Sequence, residues 1–194
     1  STWATITTAG TPPTRRCACV SSVIGNKVYM FGGRDLQQRV NDVHCLTFAE
    51  GSQPTWVPVK PKGVAPLQRS FHTAVTIGTK FLVIGGLSRM NEHFGDVHIF
   101  DSVTEAWLSP KCETHLQKRG FHGSCVVGST LYVFGGSSGF DPQRGAPAMY
   151  LNDLQSADLT AIAAAKVTIP EEPKPDAAEE VKATDATEEQ AMEE

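Results

Sequence analysis

Four independent residue patterns repeat along this chain with one shared period. Gly-Gly doublets stand at Gly32-Gly33, Gly85-Gly86 and Gly135-Gly136, 53 and 50 residues apart. Arg16, Arg69 and Arg119 follow the same two spacings. Trp3, Trp56 and Trp107 are 53 and 51 residues apart, and Asp42, Asp96 and Asp153 form a fourth series. A period near 50 residues means that one supersecondary unit is built several times. Each unit must then cover the open face of its neighbour.

Within each unit the pattern reads as four short strands. The first follows the arginine (CACVSSVI, FHTAVTI, FHGSCVV), and the second ends at the doublet (KVYMFGG, KFLVIGG, TLYVFGG). Both are apolar almost throughout, as strands covered on two faces are. The third begins at the aspartate and the fourth carries the tryptophan. Turn signals at Gly25-Asn26, Gly78-Thr79 and Gly128-Ser129 separate the first two strands. The 17 glycines and 12 prolines suit an all-β chain rich in turns.

The Arg-x-Phe-His starts (Arg69, Phe71, His72; Arg119, Phe121, His122), the doublets, the Asn/Gly-Asp pairs and the late tryptophans together resemble the kelch repeat. The resemblance runs from residue 1 to about 169. It implies blades of four antiparallel strands in a β-propeller: three blades at about 15–59, 68–110 and 118–169, in an incomplete ring. Two departures are visible. Cys19 stands where His72 and His122 stand, and no tryptophan follows NDLQSADL, so Val167-Thr168-Ile169 is a candidate fourth strand there. Residues 1–8, with Trp3, are expected to be a fourth strand of an adjoining or closing blade.

Propellers close with about four to eight blades. Three blades leave apolar faces open at both ends, and such faces mark interfaces. The chain is therefore expected to be a fragment of a longer propeller, half of a homodimeric ring, or an arc capped by another subunit.

The repeated residues are expected to be scaffold: glycines where a Cβ is not tolerated, indoles packing between blades, and arginines and histidines meeting buried polar groups. No metal site and no cofactor is expected. His44, His72, His98 and His122 fall at matched repeat positions, and Cys17-x-Cys19 alone is a weak metal signal. Gly135-Gly136-Ser137-Ser138-Gly139 lacks the Lys-Ser/Thr of a phosphate cradle. Kelch-like enzymes do exist. The iron-binding specifier pattern Glu-x3-Asp-x3-His is met by Glu92 and Asp96 but broken by Phe100, and no catalytic constellation is found.

The resemblance instead implies a non-enzymatic scaffold or adaptor whose loops bind another protein. The loops between second and third strands read RDLQQRVN, LSRMNEHFG and SSGFDPQRGAPAMYLN. Their Arg34, Arg39, Arg89 and Arg144, with Phe94 and Phe140, form a common interface chemistry and suit an acidic peptide or protein. The alternatives are a structural subunit of a large assembly and a kelch-superfamily metalloprotein or enzyme.

Charge separates body from tail. Residues 171–194 hold ten acids and two lysines, which leaves 15 bases and 11 acids in residues 1–170. Neither half is extreme enough to imply nucleic acid. Residues 170–194 have almost no bulky apolar groups and are expected to be an acidic disordered tail. The N-terminal STWATITTAG shows no secretory signal, and no apolar run reaches the roughly 18 residues of a membrane helix. Five cysteines, an odd number, suit reduced thiols. A cytoplasmic setting is expected, with a nuclear one also open.

Overall fold

The computed structural model describes residues 2–108 and 116–164. Among them the chain forms three sheets, one for each repeat. The first blade is an antiparallel meander of β2 (Val20–Ile24), β3 (Lys27–Phe31), β4 (Val43–Thr47) and β5 (Thr55–Val59), with the short β1 (Ala9–Gly10) parallel to β5 at its outer edge. The second holds β6 (Thr73–Ile77), β7 (Lys80–Ile84), β8 (Val97–Asp101) and β9 (Ala106–Leu108) in the same order. The third holds β10 (Gly123–Val127), β11 (Thr130–Asp141) and β12 (Ala146–Asp158), followed by a single turn of helix, α1 (Thr160–Ala164). The fold is all-β: propeller blades in an open arc.

Stacking of the blades makes the core. Tyr29, Phe31, Val43 and Cys45 of blade 1 pack on Phe81, Val83, Phe100 and Trp107 of blade 2. The other face of blade 2 presents Val75, Leu82, Ile84 and Ile99 to Leu131 and Val133 of blade 3. Equivalent side chains therefore have different fates. All five residues of β7 are buried because blade 2 has a neighbour on each side. Phe31 and Ile84 are buried against a following blade, whereas Phe134, at the same repeat position, is 57% exposed.

The joints also carry backbone hydrogen bonds. Gly33 N–H donates to Arg69 O (2.9 Å) and Gly86 N–H to Arg119 O (2.8 Å). Gly32 and Gly85 have φ of +65° and +57°. A Cβ on Gly32 would lie 3.0 Å from Arg69 O, and one on Gly85 would lie 2.6 Å from Arg119 O. The doublet is thus the place where one blade's backbone meets the next too closely for a side chain.

Two expectations change. Residues 2–8 carry no strand, and Trp3 is fully exposed rather than packed between blades. Strand pairing begins only at Ala9, whose N–H donates to Pro54 O. The third loop, SSGFDPQRGAPAMYLN, is mostly not a loop. β11 and β12 run past the doublet as a projecting hairpin with a bulge between Phe134 and Gly136. Its turn is closed by Asp141, whose carboxylate accepts the N–H groups of Gln143 and Arg144, and by Gly145 at φ +60°. The third blade shows three strands among the described residues. Val167–Ile169, the candidate fourth strand, and the acidic tail lie outside them.

The missing third tryptophan has a local replacement. Leu46 and Phe100 stand opposite Trp56 and Trp107. The matching residue of blade 3 is the small Ala157. Just beyond it, Leu159 is buried and Ile162 of α1 packs on the same cluster as Ile84 and Leu131. Asp158 caps this turn by accepting the N–H and hydroxyl of Thr160.

Candidate functional site

Each repeat arginine ties its blade together in the same way. Arg69 donates to Leu67 O, to Gly85 O at the end of the second strand, and through two nitrogens to Asp96 at the start of the third. Arg119 repeats this with Gln117 O, Gly135 O and Asp153, and Arg16 with Thr14 O, Gly32 O and Asp42. The Arg69 and Arg119 side chains are fully buried. Burial alone would raise the Asp96 pKa, but the bonds from Arg69 and His98 overcome it and hold the carboxyl well below the usual range. Removing the aspartate would leave the buried guanidinium without its charge partner, although solvent reaching the carboxylate makes the loss smaller than for a pair buried on both sides. Buried and ion-paired within their own blades, Arg69 and Arg119 serve the scaffold.

The histidines fill the joints. The His72 ring lies against the space above Gly32 and edge-on to Phe31 (5.4 Å). His122 occupies the same place over Gly85 and hydrogen-bonds Thr73 Oγ1 at 2.8 Å. Burial, with Arg69 and Arg119 respectively, pushes the His72 pKa down to about 3 and that of His122 to about 4. Both rings are neutral spacers at physiological pH.

A different set of residues forms a ledge where each repeat enters its first strand. Arg34 bridges to Cys17 and Arg39, Leu87 to Ser70 and His93, and Ser137 to Gly120. Arg39 crosses to the second blade: Nε donates to Ser70 Oγ (2.6 Å), Nη2 to Asn91 Oδ1 (2.9 Å) and Nη1 to Arg89 O (3.4 Å). Its relative exposure is 7%. All three acceptors are neutral, and no ion pair joins Arg39 to a carboxylate among the described residues. Burial, and then the neighbouring Arg34, lower its pKa from the ordinary value. A nearly buried guanidinium beside a second cation, with only neutral acceptors, is electrostatically unbalanced. An arriving carboxylate would restore the balance.

The profile of the KLHDC2/KLHL20/DRC7 kelch-repeats domain matches residues 1–136 and, overlapping, 51–187. The chain belongs to the kelch-repeat family. It is 39% identical over 136 residues to Kelch domain-containing protein 1 of Homo sapiens, covering 66% of this chain and 32% of that protein. It is 32% identical over 148 residues to human Kelch domain-containing protein 3, covering 69% and 37%. Rab9 effector protein with kelch motifs, from Danio rerio, is 31% identical over 118 residues, covering 58% and 34%. The chain thus spans about a third of the length of these relatives. In general terms a kelch domain is a protein-interaction module.

Within the kelch framework the candidate loop residues separate. Arg34 and Arg89 are exposed and meet around the buried Arg39, Arg89 through its carbonyl. Phe94 is half-buried, with the Arg69 guanidinium 4.2 Å from its ring centre, so it serves the scaffold. Phe140 and Arg144 are exposed on the hairpin, Arg144 at its turn and away from the other arginines in sequence and sheet. Trp107 is buried in the blade 1–blade 2 joint and Trp56 is half-buried. Ser70, Asn91 and His93 were not singled out from the sequence. Cys17, Ser70 and Gly120 share a repeat position that follows the arginine and differs in every blade, so its type gave no signal that Ser70 would meet Arg39.

Proposed function

We propose that this kelch arc is a non-enzymatic scaffold or adaptor that binds a partner protein through an acidic segment seated on Arg34, Arg39 and Arg89. The observation that carries this reading is Arg39, held by three neutral acceptors and with no carboxylate partner among the described residues. Its exposed neighbours Arg34 and Arg89 supply the field that draws an anion in, and a guanidinium can receive a carboxylate with two parallel hydrogen bonds. A relative named as a Rab9 effector supports a protein as the partner. Free thiols at Cys17, Cys19, Cys45 and Cys125 accord with a cytoplasmic setting.

The test is fluorescence anisotropy with labelled peptides carrying one Glu in a neutral background, each paired with its Gln counterpart. Glu peptides should bind more tightly than Gln peptides, and more weakly as salt rises. Replacing Arg34, Arg39 and Arg89 with alanine should remove both the preference and the salt dependence. Equal binding of Glu and Gln peptides to the unaltered protein refutes the reading.

A second reading, a subunit held in a larger ring by a second copy or a capping chain, is favoured by the apolar outer face of blade 3. There Phe134, Val127 and Leu154 are exposed at positions whose counterparts Ile84, Ile77 and Val97 pack against a neighbouring blade. Native mass measurement distinguishes a homodimer, a heteromer and a monomer.

A further inference from the structure

The position two residues after each repeat arginine is left-handed in all three blades: Ala18 at φ 53°, Phe71 at 56° and Phe121 at 58°. The backbone shape therefore belongs to the scaffold, and Ala18 shows that the scaffold requires no ring there. Blades 2 and 3 nevertheless place phenylalanines at this uncommon conformation. Their rings stack with centroids 3.9 Å apart and planes at 28°, and Phe121 is 52% exposed. The pair makes an apolar step on the surface beside the arginine ledge.

The step leads to a cleft. Phe121, Gly136, Ser137, Pro147, Tyr150 and Leu151 line a space of about 510 Å³. The projecting hairpin makes its far wall, because β12 is paired to β11 there through Gly136–Leu151 and Ser137–Tyr150. Tyr150 is 76% exposed. The space is a groove open to solvent along one side rather than an enclosed pocket, and no lining residue is charged.

The cleft and the arginines are joined by short, direct links. Arg39 bonds Ser70, which precedes Phe71 in the chain, and the Phe71 carbonyl accepts the N–H of Phe121 at 2.9 Å. His93 Nε2 and Ser137 Oγ, 3.3 Å apart, connect the ledge of blade 2 to the cleft floor. One extended peptide residue spans about 3.3 Å, so a few residues would bridge the two places.

We infer that the cleft is a second subsite for the same ligand, receiving a bulky apolar side chain, preferably aromatic, from the peptide whose carboxylate meets Arg39. This rests on the carboxylate reading above and adds to it the class of sequence recognised: an acidic residue with an aromatic residue a short distance along the strand. The charge arrangement commits the occupant. Cations lie at one end of the surface, and an uncharged aromatic-walled cleft lies at the other. A rigid ring suits such a cleft because it brings large contact area with few rotatable bonds. The open blade faces are not involved, since Phe134, Val127 and Leu154 do not line it.

The test uses the same labelled Glu peptides, now in pairs with Trp or Ala placed roughly two to five residues from the Glu. Trp should tighten binding about tenfold relative to Ala, as a buried aromatic anchor does. In Tyr150→Ala and in Phe121→Ala, whose backbone shape alanine already tolerates at Ala18, that gain should shrink to within about twofold, while the Glu-over-Gln preference persists. Thermal melts establish that both variants are folded. Trp without advantage in the unaltered protein, or an advantage undiminished in both variants, overturns the subsite. A Trp gain that depends on Tyr150 while Glu and Gln bind alike sustains the cleft and defeats the carboxylate reading. Absence of binding by every peptide overturns both.

Discussion

Gly85 and Gly135 occupy the same repeat position with similar backbones, at φ +57° and +65°, but only Gly85 is roofed by a following blade. Alanine at either site must hold a left-handed conformation, which costs about 1–2 kcal/mol. At Gly85 the added Cβ would also sit 2.6 Å from Arg119 O, 3.1 Å from the His122 ring and 3.3 Å from Phe94 O. Two of these are backbone carbonyls that Arg119 and the sheet hold in place, so the blades must separate; overpacking of this kind costs about 1–3 kcal/mol. At Gly135 the nearest atom is Leu151 O at 3.3 Å, a contact that needs a shift of a few tenths of an ångström. Gly85→Ala should therefore lose roughly 2–5 kcal/mol and Gly135→Ala roughly 1–2 kcal/mol. The difference, about 1–3 kcal/mol, isolates the close approach between blades from the shared backbone strain. Urea titrations of the two variants measure it directly, and thermal melts should separate by about 2–4 °C for each kcal/mol. Equal destabilisation of the two would show that the doublet is constrained by its own backbone and not by the neighbouring blade.

Truncating each tryptophan to alanine should follow burial: a loss of about 3–5 kcal/mol at Trp107, an intermediate loss at Trp56 and within about 0.5 kcal/mol of no change at Trp3, read from urea midpoints. Acidification should destabilise the arc through its buried histidines. His72 and His122 have folded pKa values near 3 and 4, against about 6.5 unfolded. As pH falls below 6.5 the unfolded chain binds protons that the folded one refuses, and at pH 5 this removes about 2 kcal/mol per histidine relative to pH 8. A flat stability profile between pH 8 and 5 would contradict it. Leu159→Ala should cost about 2–5 kcal/mol in thermal or urea denaturation if the leucine fills the tryptophan's place; a loss below about 0.5 kcal/mol would remove that explanation.

The blade plan was legible because each repeated residue has a role that its own repeat completes. Arg69 finds Gly85 O and Asp96 inside one blade, so its spacing to both is written in the sequence. The hairpin arm was less legible. SSGFDPQRGAPAMYLN has the composition of a loop, and only the pairing of β11 with β12, closed by Asp141 and Gly145, makes it a sheet extension. The arginine ledge was half legible. Arg34, Arg39 and Arg89 stood out by type, but the neutral groups that Arg39 bonds, Ser70, Asn91 and the Arg89 carbonyl, come from the second blade.

Repetition alone set the blade plan: the antiparallel order of its strands, the face each side chain takes, and the positions where a Cβ is not tolerated. Tertiary structure decided which faces are covered. Phe31 and Phe134 hold the same place in the pattern, yet one is buried and the other meets water, as do Trp107 and Trp3. The physical reason is that a period specifies what a residue points toward within its own sheet, whereas burial, and with it most of the energy, depends on whether another sheet stands there.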